Sequence, residues 1–231
     1  MMEFLAFKKL CSSIEITISN EQYLQLREYF NLLVIENKKY NLTSITDEPA
    51  VFEKHFFDSL SASKIINLEN KSIVDIGAGA GFPLIPLKIL IPSLKATLID
   101  ATLKKVNFME AVIKQLGLKD IKVVNARAEE QQGEFDIVIA RAVAPLNELT
   151  ELVCNLVKLN GHLIAMKGSN YKVELKQAEN ALGVLGYELV NVQPYLLPTE
   201  QAERNNLLFK KVKKHDGRYP RSYSKISKQP L

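Results

Sequence analysis

Three glycines at alternate positions, Gly77, Gly79 and Gly81, follow an apolar run that ends in an acid, Asp75, and precede Phe82-Pro83. A strand that bends sharply into a helix needs residues without a Cβ at the bend. The same glycines let a ligand approach backbone N–H groups and the positive end of the next helix. The chemistry on offer is the binding of a nucleotide-like ligand at a strand–glycine turn–helix unit. A second acid, Asp100, closes the apolar run Leu98-Ile99 about twenty residues further on, the interval at which ribose hydroxyls are recognised. Asp100 could equally cap the helix that follows, and the two roles can coexist.

The spacing discriminates between ligands. A G-x-G-x-x-G dinucleotide fingerprint would place its third glycine at position 82, which is Phe82. The pattern is instead G-x-G-x-G after an acid, and it is similar to that of S-adenosylmethionine-dependent methyltransferases of the Rossmann-like class. The competing reading is a glycine-rich turn that binds nothing.

Further candidates follow later strands. In Asn125-Ala126-Arg127-Ala128-Glu129-Glu130 an acid or amide could accept from an adenine amine while small side chains make room for the ring; a plain exposed loop fits as well. Arg141, after the run Phe135–Ala140, could bind a cofactor carboxylate, a phosphate or the O6/N7 edge of guanine, or form a surface ion pair. No Asn/Asp-Pro-Pro-aromatic motif stands there, so methylation of an exocyclic amine is not indicated. Cys154 reads as mid-helix, so a cysteine nucleophile is not indicated either. Lys167, before Gly168-Ser169, could bind RNA phosphate or mark a helix entry capped by Ser169. His55 reads first as a core histidine and second as a substrate contact.

The elements that must position these residues can be read from periodicity. Ser19 caps an amphipathic helix over 20–37, Asn41–Ser44 form a loop, and a second helix covers about 48–65. Strands are predicted at 71–76, 95–100, 121–125, 135–140 and 161–166, and helices at 82–91, 102–116, 146–158 and 170–182. This alternation is that of a parallel sheet with crossover helices. Two β-type runs with no helix between them, 184–195 and 204–213, complete it as an antiparallel hairpin. The fold class is α/β, a Rossmann-like, mostly parallel sheet with a C-terminal hairpin. It divides into an N-terminal helical extension (1–68), a core (69–213) and a basic tail (214–231).

At 231 residues the chain can hold one sizeable core. Two distant cysteines and three scattered histidines suggest neither a disulfide framework nor a metal site, so no metal is expected. The start lacks a secretory signal and the most apolar stretch, 84–99, is broken by prolines and lysines, so a cytoplasmic protein with no membrane partner is expected. Charge is uneven. From Lys210 to the end, eight basic residues face one acid, a net of +7; the remaining 22 basic and 25 acidic residues give −3, and the two return the overall +4. Such an end neutralises phosphates, and Tyr219 and Tyr223 within it could stack on bases; a solvated, disordered tail is the alternative.

Several stretches occur together in a familiar order: Asn37–Ile45, His55-Phe56-Phe57-Asp58-Ser59, Asp75–Pro83, Ala140-Arg141-Ala142 and Lys167-Gly168, with Arg218-Tyr219-Pro220-Arg221 and Pro230-Leu231 at the end. Together they resemble the bacterial glucose-inhibited division protein B family, the 16S ribosomal RNA guanine-N7 methyltransferases. The resemblance implies S-adenosylmethionine as cofactor and N7 of guanine 527 in 16S rRNA of the small ribosomal subunit as target. It implies cofactor contacts at Gly77, Phe82, Ala128, Glu129 and Arg141; Gly79, Gly81 and Asp100 are added on geometry. Arg141, Lys167 and His55 are the positioning candidates, and Lys167, Arg204, Arg218 and Arg221 the candidate rRNA contacts. No acid–base residue is assigned, because guanine N7 carries a free lone pair and no proton. A monomer is expected. A methyltransferase for a small molecule or protein, and a non-enzymatic RNA-binding module, are the rival readings.

Overall fold

A computed structural model describes residues 2–231 of the protein. Its N-terminal part is helical: α1 (Phe4–Ser12), α2 (Asn20–Tyr40), α3 (Glu48–Val51), a π-helical turn (Phe52–Phe57), α4 (Asp58–Ser61) and a short 3-10 turn (Ala62–Lys64). The core follows as β1 (Ser72–Ile76), α5 (Leu84–Leu90), β2 (Lys95–Asp100), α6 (Leu103–Gln115), β3 (Ile121–Asn125), β4 (Phe135–Arg141), α7 (Leu146–Leu152) and β5 (Val157–Lys167). The chain ends with α8 (Tyr171–Gln177), α9 (Glu179–Leu185), β6 (Tyr187–Leu197), β7 (Ala202–Lys211) and α10 (Tyr223–Lys228). Among the described residues no helix is long and apolar enough to cross a membrane.

The seven strands form one sheet in the order β3-β2-β1-β4-β5-β7-β6. The first five are parallel; β7 runs antiparallel to both β5 and β6. Strand order therefore reverses between β1 and β4, the place where doubly wound sheets open a crevice at their carboxyl ends. Alternate residues of each strand face opposite sides. Ile73, Leu98, Ile137 and Ile164 pack against the helices before α7, while Val74, Val138, Leu163 and Ala165 pack under α7, α9 and α10.

The N-terminal helices share the first of these cores. Phe7, Leu26, Tyr29, Phe52 and Phe56 are fully buried in it. Ser19 caps α2 reciprocally: its Oγ accepts from Gln22 N (3.1 Å) while Gln22 Oε1 accepts from Ser19 N (2.9 Å). The sequence reading missed α1, although Phe7 and Cys11 stand four apart and both face inward. The helix expected over 48–65 is continuous but wider-wound in its middle. That π turn buries Phe52, Phe56 and Phe57 while leaving His55 partly accessible at the carboxyl edge of the sheet.

Several boundaries differ from expectation. The helix read to residue 158 ends at Leu152, and the strand read from 161 already starts at Val157. Asn160, one residue before the predicted start, lies inside that strand at φ +63°, beside an irregular register between β4 and β5. Cys154 therefore lies in a buried turn, not mid-helix, and burial pushes its thiol up to about 12. The helix read over 170–182 is two helices bent at buried Ala178, whose amide is shared by the Glu174 and Leu175 carbonyls. The second runs on to Leu185, and Gly186 at φ +75° stops it, so β6 begins at Tyr187 rather than 184.

The basic tail is folded onto the second core. Ile226 of α10 is fully buried there. Arg221 grips Glu151, a carboxylate with no exposed surface, through Nε (2.8 Å), Nη2 (2.6 Å) and its own backbone N–H (2.9 Å). Removing one member of a buried pair leaves the other charge uncompensated. Arg221→Ala is expected to lower unfolding free energy by about 3 kcal/mol, the low end for such pairs because the arginine is partly solvated; the shift of the urea midpoint, compared with the milder Glu151→Gln, checks it.

Candidate active site

Gly77, Gly79 and Gly81 all adopt left-handed backbone, at φ +62°, +62° and +96°. At Gly81 a Cβ would come within 2.5 Å of Ile85 Cδ1 and 2.7 Å of Tyr29 Oη, and at Gly77 within 3.0 Å of Val143 Cγ2. The turn is thus closed by neighbours as well as by dihedral preference. Tyr29 is the residue that sequence reasoning missed here. Its hydroxyl donates to the Ala80 carbonyl, and its ring stacks on Phe82 (centroids 5.3 Å apart). Its place three residues after Leu26 and four before Leu33, on the buried face of α2, was the available signal.

Two acids lie against the turn. Asp75 is fully buried; its Oδ2 accepts from Leu84 N (3.3 Å) and its Oδ1 has no partner. Burial holds its carboxyl well above the usual range, with the Leu84 N–H and the Arg141 charge opposing. Asp100 Oδ2 accepts from Gly79 N (2.9 Å) and Oδ1 from Thr102 N (2.8 Å), at the entry of α6. Its backbone carbonyl accepts from Asn125 Nδ2 (2.9 Å) and Ala126 N (3.3 Å). The loops after β1, β2 and β3 are therefore laced side by side. Ala128 and Glu129 follow at once in a short 3-10 turn, both partly exposed.

Arg141, at the end of β4, is held on four sides. Nη1 donates to Asp58 Oδ2 (2.7 Å) and to the Lys54 carbonyl (3.1 Å), Nη2 meets His55 Nδ1 (3.4 Å), and the guanidinium lies over the Phe82 ring (5.3 Å). The ion pair with Asp58 is real but buried, not a surface pair. Since arginine only donates, His55 Nδ1 accepts, and Nε2 carries the proton toward Thr43 Oγ1 (2.9 Å). Burial, followed by the Arg141 charge, lowers the His55 pKa to about 4, so the ring is neutral. It too stacks on Phe82 (4.5 Å). Phe82 is consequently a buried core ring packed by Tyr29, His55 and Arg141. After Arg141, Ala142 sits at φ +55°, a conformation an alanine adopts at an energetic cost and one that clusters at functional loops.

A cleft of about 610 Å³ opens beside this group at the ends of β4 and β5, lined among others by His55, Asp58, Arg141, Lys167, Glu174 and Arg204. Lys167 is not free. Its Nζ donates to the Ala144 carbonyl and to Glu174 Oε2, both at 2.7 Å, and Glu174 also accepts from Leu146 N. It ties the β4–α7 loop to α8, whose entry residue Asn170 follows Ser169, and no side chain caps that helix. Arg204, on β7, approaches Asp58 Oδ1 with Nε (3.4 Å), and Tyr195 Oη donates to the same oxygen (2.8 Å). Arg218 and Arg221 do not line this cleft. Arg218 is exposed and pairs with Asp216; Arg221 is occupied by Glu151. Asp58, Glu174 and Tyr195 organise the cleft, and sequence patterns assigned them no role because their partners are about 80 to 140 residues away, or on the far side of a loop.

The Asp75 carboxyl gives a pH test. A folded-state pKa above the unfolded reference of 3.8 favours the folded protein at acid pH, and that contribution is lost as pH rises through the folded value. Asp75→Asn removes the ionisable group at nearly constant shape. It is expected to stabilise the ligand-free protein at pH 8 relative to the parent and to have no such effect at pH 4, as read from urea midpoints at the two pH values.

The family model for rRNA small subunit methyltransferase G matches residues 22–203. The ribosomal RNA small subunit methyltransferase G of Geobacillus thermodenitrificans is 42% identical over 100% of both chains, and that of Staphylococcus carnosus 43% identical over 94% of each. Solved structures share the fold at lower identity. M. jannaschii TYW2, solved in complex with AdoMet, is 16% identical with a TM-score of 0.57, covering 73% of this chain and 80% of that one. A SAM-dependent methyltransferase from Aquifex aeolicus is 20% identical with a TM-score of 0.53, covering 72% and 95%. The cyclase SpnF is 12% identical with a TM-score of 0.58, covering 83% and 96%, so the fold alone does not name the chemistry. The sequence relatives do: matched along its whole length, this chain belongs to the rRNA small subunit methyltransferase G family.

Proposed function

We propose that this protein transfers the methyl group of S-adenosylmethionine to N7 of guanine 527 in 16S rRNA of the small ribosomal subunit. The observation that carries the reading is that, among the described residues lining the cleft, every acid and the histidine is already partnered. Its two acids are both neutralised, Asp58 by Arg141 and Arg204, and Glu174 by Lys167. Its histidine is neutral, with Nδ1 turned to Arg141. Most methyl acceptors must lose a proton to a base. Guanine N7 has an in-plane lone pair and no proton, so a cleft of this composition suffices for it. Four cations against two acids also suit an RNA substrate.

The residues fit S-adenosylmethionine. Its ammonium and sulfonium are positive, and the unpartnered Oδ1 of buried Asp75 is a carboxyl oxygen in need of a cation. The left-handed glycine turn keeps backbone clear of side chains at that place. Gly77, Gly79 and Gly81 would hold the ligand by their main chain, Asp100 its ribose, and Ala128 and Glu129 its adenine. When bound, the cofactor supplies an electrophilic methyl group. The chain's own part is alignment and exclusion of water, which accounts for roughly 7–11 kcal/mol in well-oriented reactions. The four contacts of Arg141 support a positioning role for it, as a rigid wall between the turn and the cleft. Lys167 keeps the β4–α7 loop against that wall.

Small subunits from cells lacking this protein, incubated with it and labelled S-adenosylmethionine, are expected to gain one N7-methylguanine, located by cleavage at the modified base. Methylation elsewhere, or none, overturns the proposal. Gly77→Asp is expected to abolish calorimetric binding of S-adenosylmethionine, because its Cβ meets Val143 and its backbone prefers another φ. With no free base among the described residues that line the cleft, and with Asp75 paired to the bound cation, kcat at saturating S-adenosylmethionine is expected to stay flat between about pH 6 and pH 8; an inflection near neutrality under that saturation would count against a proton-free transfer.

A further inference from the structure

A second concavity, about 430 Å³, adjoins the first. Its lining includes Ser169, Tyr171, Lys172, Leu196, Glu203 and Arg204. The two clefts share Arg204, and where the first ends at Gly168 the second begins at Ser169. The partition is firmly built. Buried Asn205 donates from Nδ2 to the Gly168 carbonyl (3.1 Å), so the chain after β5 is pinned to β7. Arg204 is anchored by Asp58 and by the Glu203 carbonyl (3.1 Å), yet its side chain remains 33% exposed, so one fixed guanidinium borders both hollows.

The second hollow has the composition of a nucleotide subsite. Tyr171 is half buried against the core and lines the hollow, which makes it a backed, rigid aromatic surface. Lys172 Nζ stands 6.0 Å from the centre of that ring. With Arg204 it places two cations on the rim against the single exposed acid Glu203. Single-stranded RNA is recognised by splayed bases stacked on aromatic rings with phosphates on lysine and arginine. The volume lies in the range of pockets that enclose a small ligand, about 300–1,000 Å³.

Resting on the function proposed above, we propose that this second cleft receives the nucleotide next to the target guanine in the RNA chain, its base stacked on Tyr171 and its phosphate between Lys172 and Arg204. The subsite would make the enzyme read a strand with two neighbouring unstacked nucleotides, not an isolated base. It acts on binding of the particle and leaves the methyl donor untouched.

Steady-state methylation of small ribosomal subunits from cells lacking the protein tests this with Tyr171→Ala, Tyr171→Phe, Lys172→Glu and Lys176→Glu. Loss of one stacking surface is expected to raise KM for the subunit about tenfold in Tyr171→Ala. Lys172→Glu should raise it comparably, Tyr171→Phe should match the parent, and kcat and calorimetric affinity for S-adenosylmethionine should be unchanged in all. Lys176, exposed one turn further along α8 and outside the cleft, controls for long-range charge. Parental KM in both Tyr171→Ala and Lys172→Glu, or an equal rise in Lys176→Glu, overturns the subsite. Because Tyr171→Ala also touches the core, Lys172→Glu, wholly at the surface, keeps the test decisive if the first variant is unstable. If the parent protein leaves the subunits unmethylated, the function itself fails and the subsite with it; a methylating parent with unaffected variants removes the subsite alone.

Discussion

The organisation of this protein depends on a left-handed main-chain bend that glycine makes without strain and that packed neighbours then lock. Between Asp75 and Phe82 the backbone enters the left-handed region three times. On one side Tyr29 and Ile85 fill the space a side chain at Gly81 would take; on the other Val143 approaches Gly77. Tyr29 belongs to α2, before the sheet, and Val143 to the loop after β4. The bend is therefore the point where the N-terminal helices, the first crossover and the switch in strand order meet. The N-terminal helices are a wall of the site and share its core.

Electrostatics follows from that geometry. Burying Asp75 without a partner for one oxygen is unfavourable unless something positive arrives. Asp58, buried equally deeply, is in the opposite condition, with two guanidinium groups and a phenol on its two oxygens. One acid is thus left in want of a cation while the other fixes the arginines around it. A buried pair contributes little net stability, but removing one member leaves the other charge uncompensated. The ring of Phe82, clasped by Tyr29 and His55 and covered by Arg141, carries this order from the glycine turn to the cleft.

The basic C-terminal segment divides in the same way between anchoring and exposure. Arg221 and Ile226 are committed to the second core and Lys211 is buried, donating to the Cys154 carbonyl (2.9 Å), whereas Arg218, Lys213, Lys214, Lys225 and Lys228 remain at the surface. Tyr223 of that segment lies over Arg127, immediately before the turn that carries Ala128 and Glu129. Counting charge along a chain treats these residues alike. Burial separates those that hold the fold from those that can meet a phosphate.

Much was legible in the sequence. The runs of β-type residues located all seven strands to within a few residues; β1, β2 and β4 stood out because a parallel strand buried on both faces is apolar nearly throughout. The G-x-G-x-G spacing marked its bend because glycine enters the left-handed region without the cost other residues bear, and because Gly81 at φ +96° has no room for a Cβ. Local signals misled where the helix read to 158 gives way to a strand that begins at Val157, and where a helix bends at an alanine with no breaker in sight. What tertiary structure alone decided was partnership. That Arg141 meets Asp58, that Lys167 is spent on Glu174, that Arg221 is an anchor and that Tyr29 supports the glycine turn are contacts between residues distant in the chain or across a loop. A sequence specifies such charges and rings one at a time; only packing brings them within a few ångströms, and at that range burial and pairing determine what each can do.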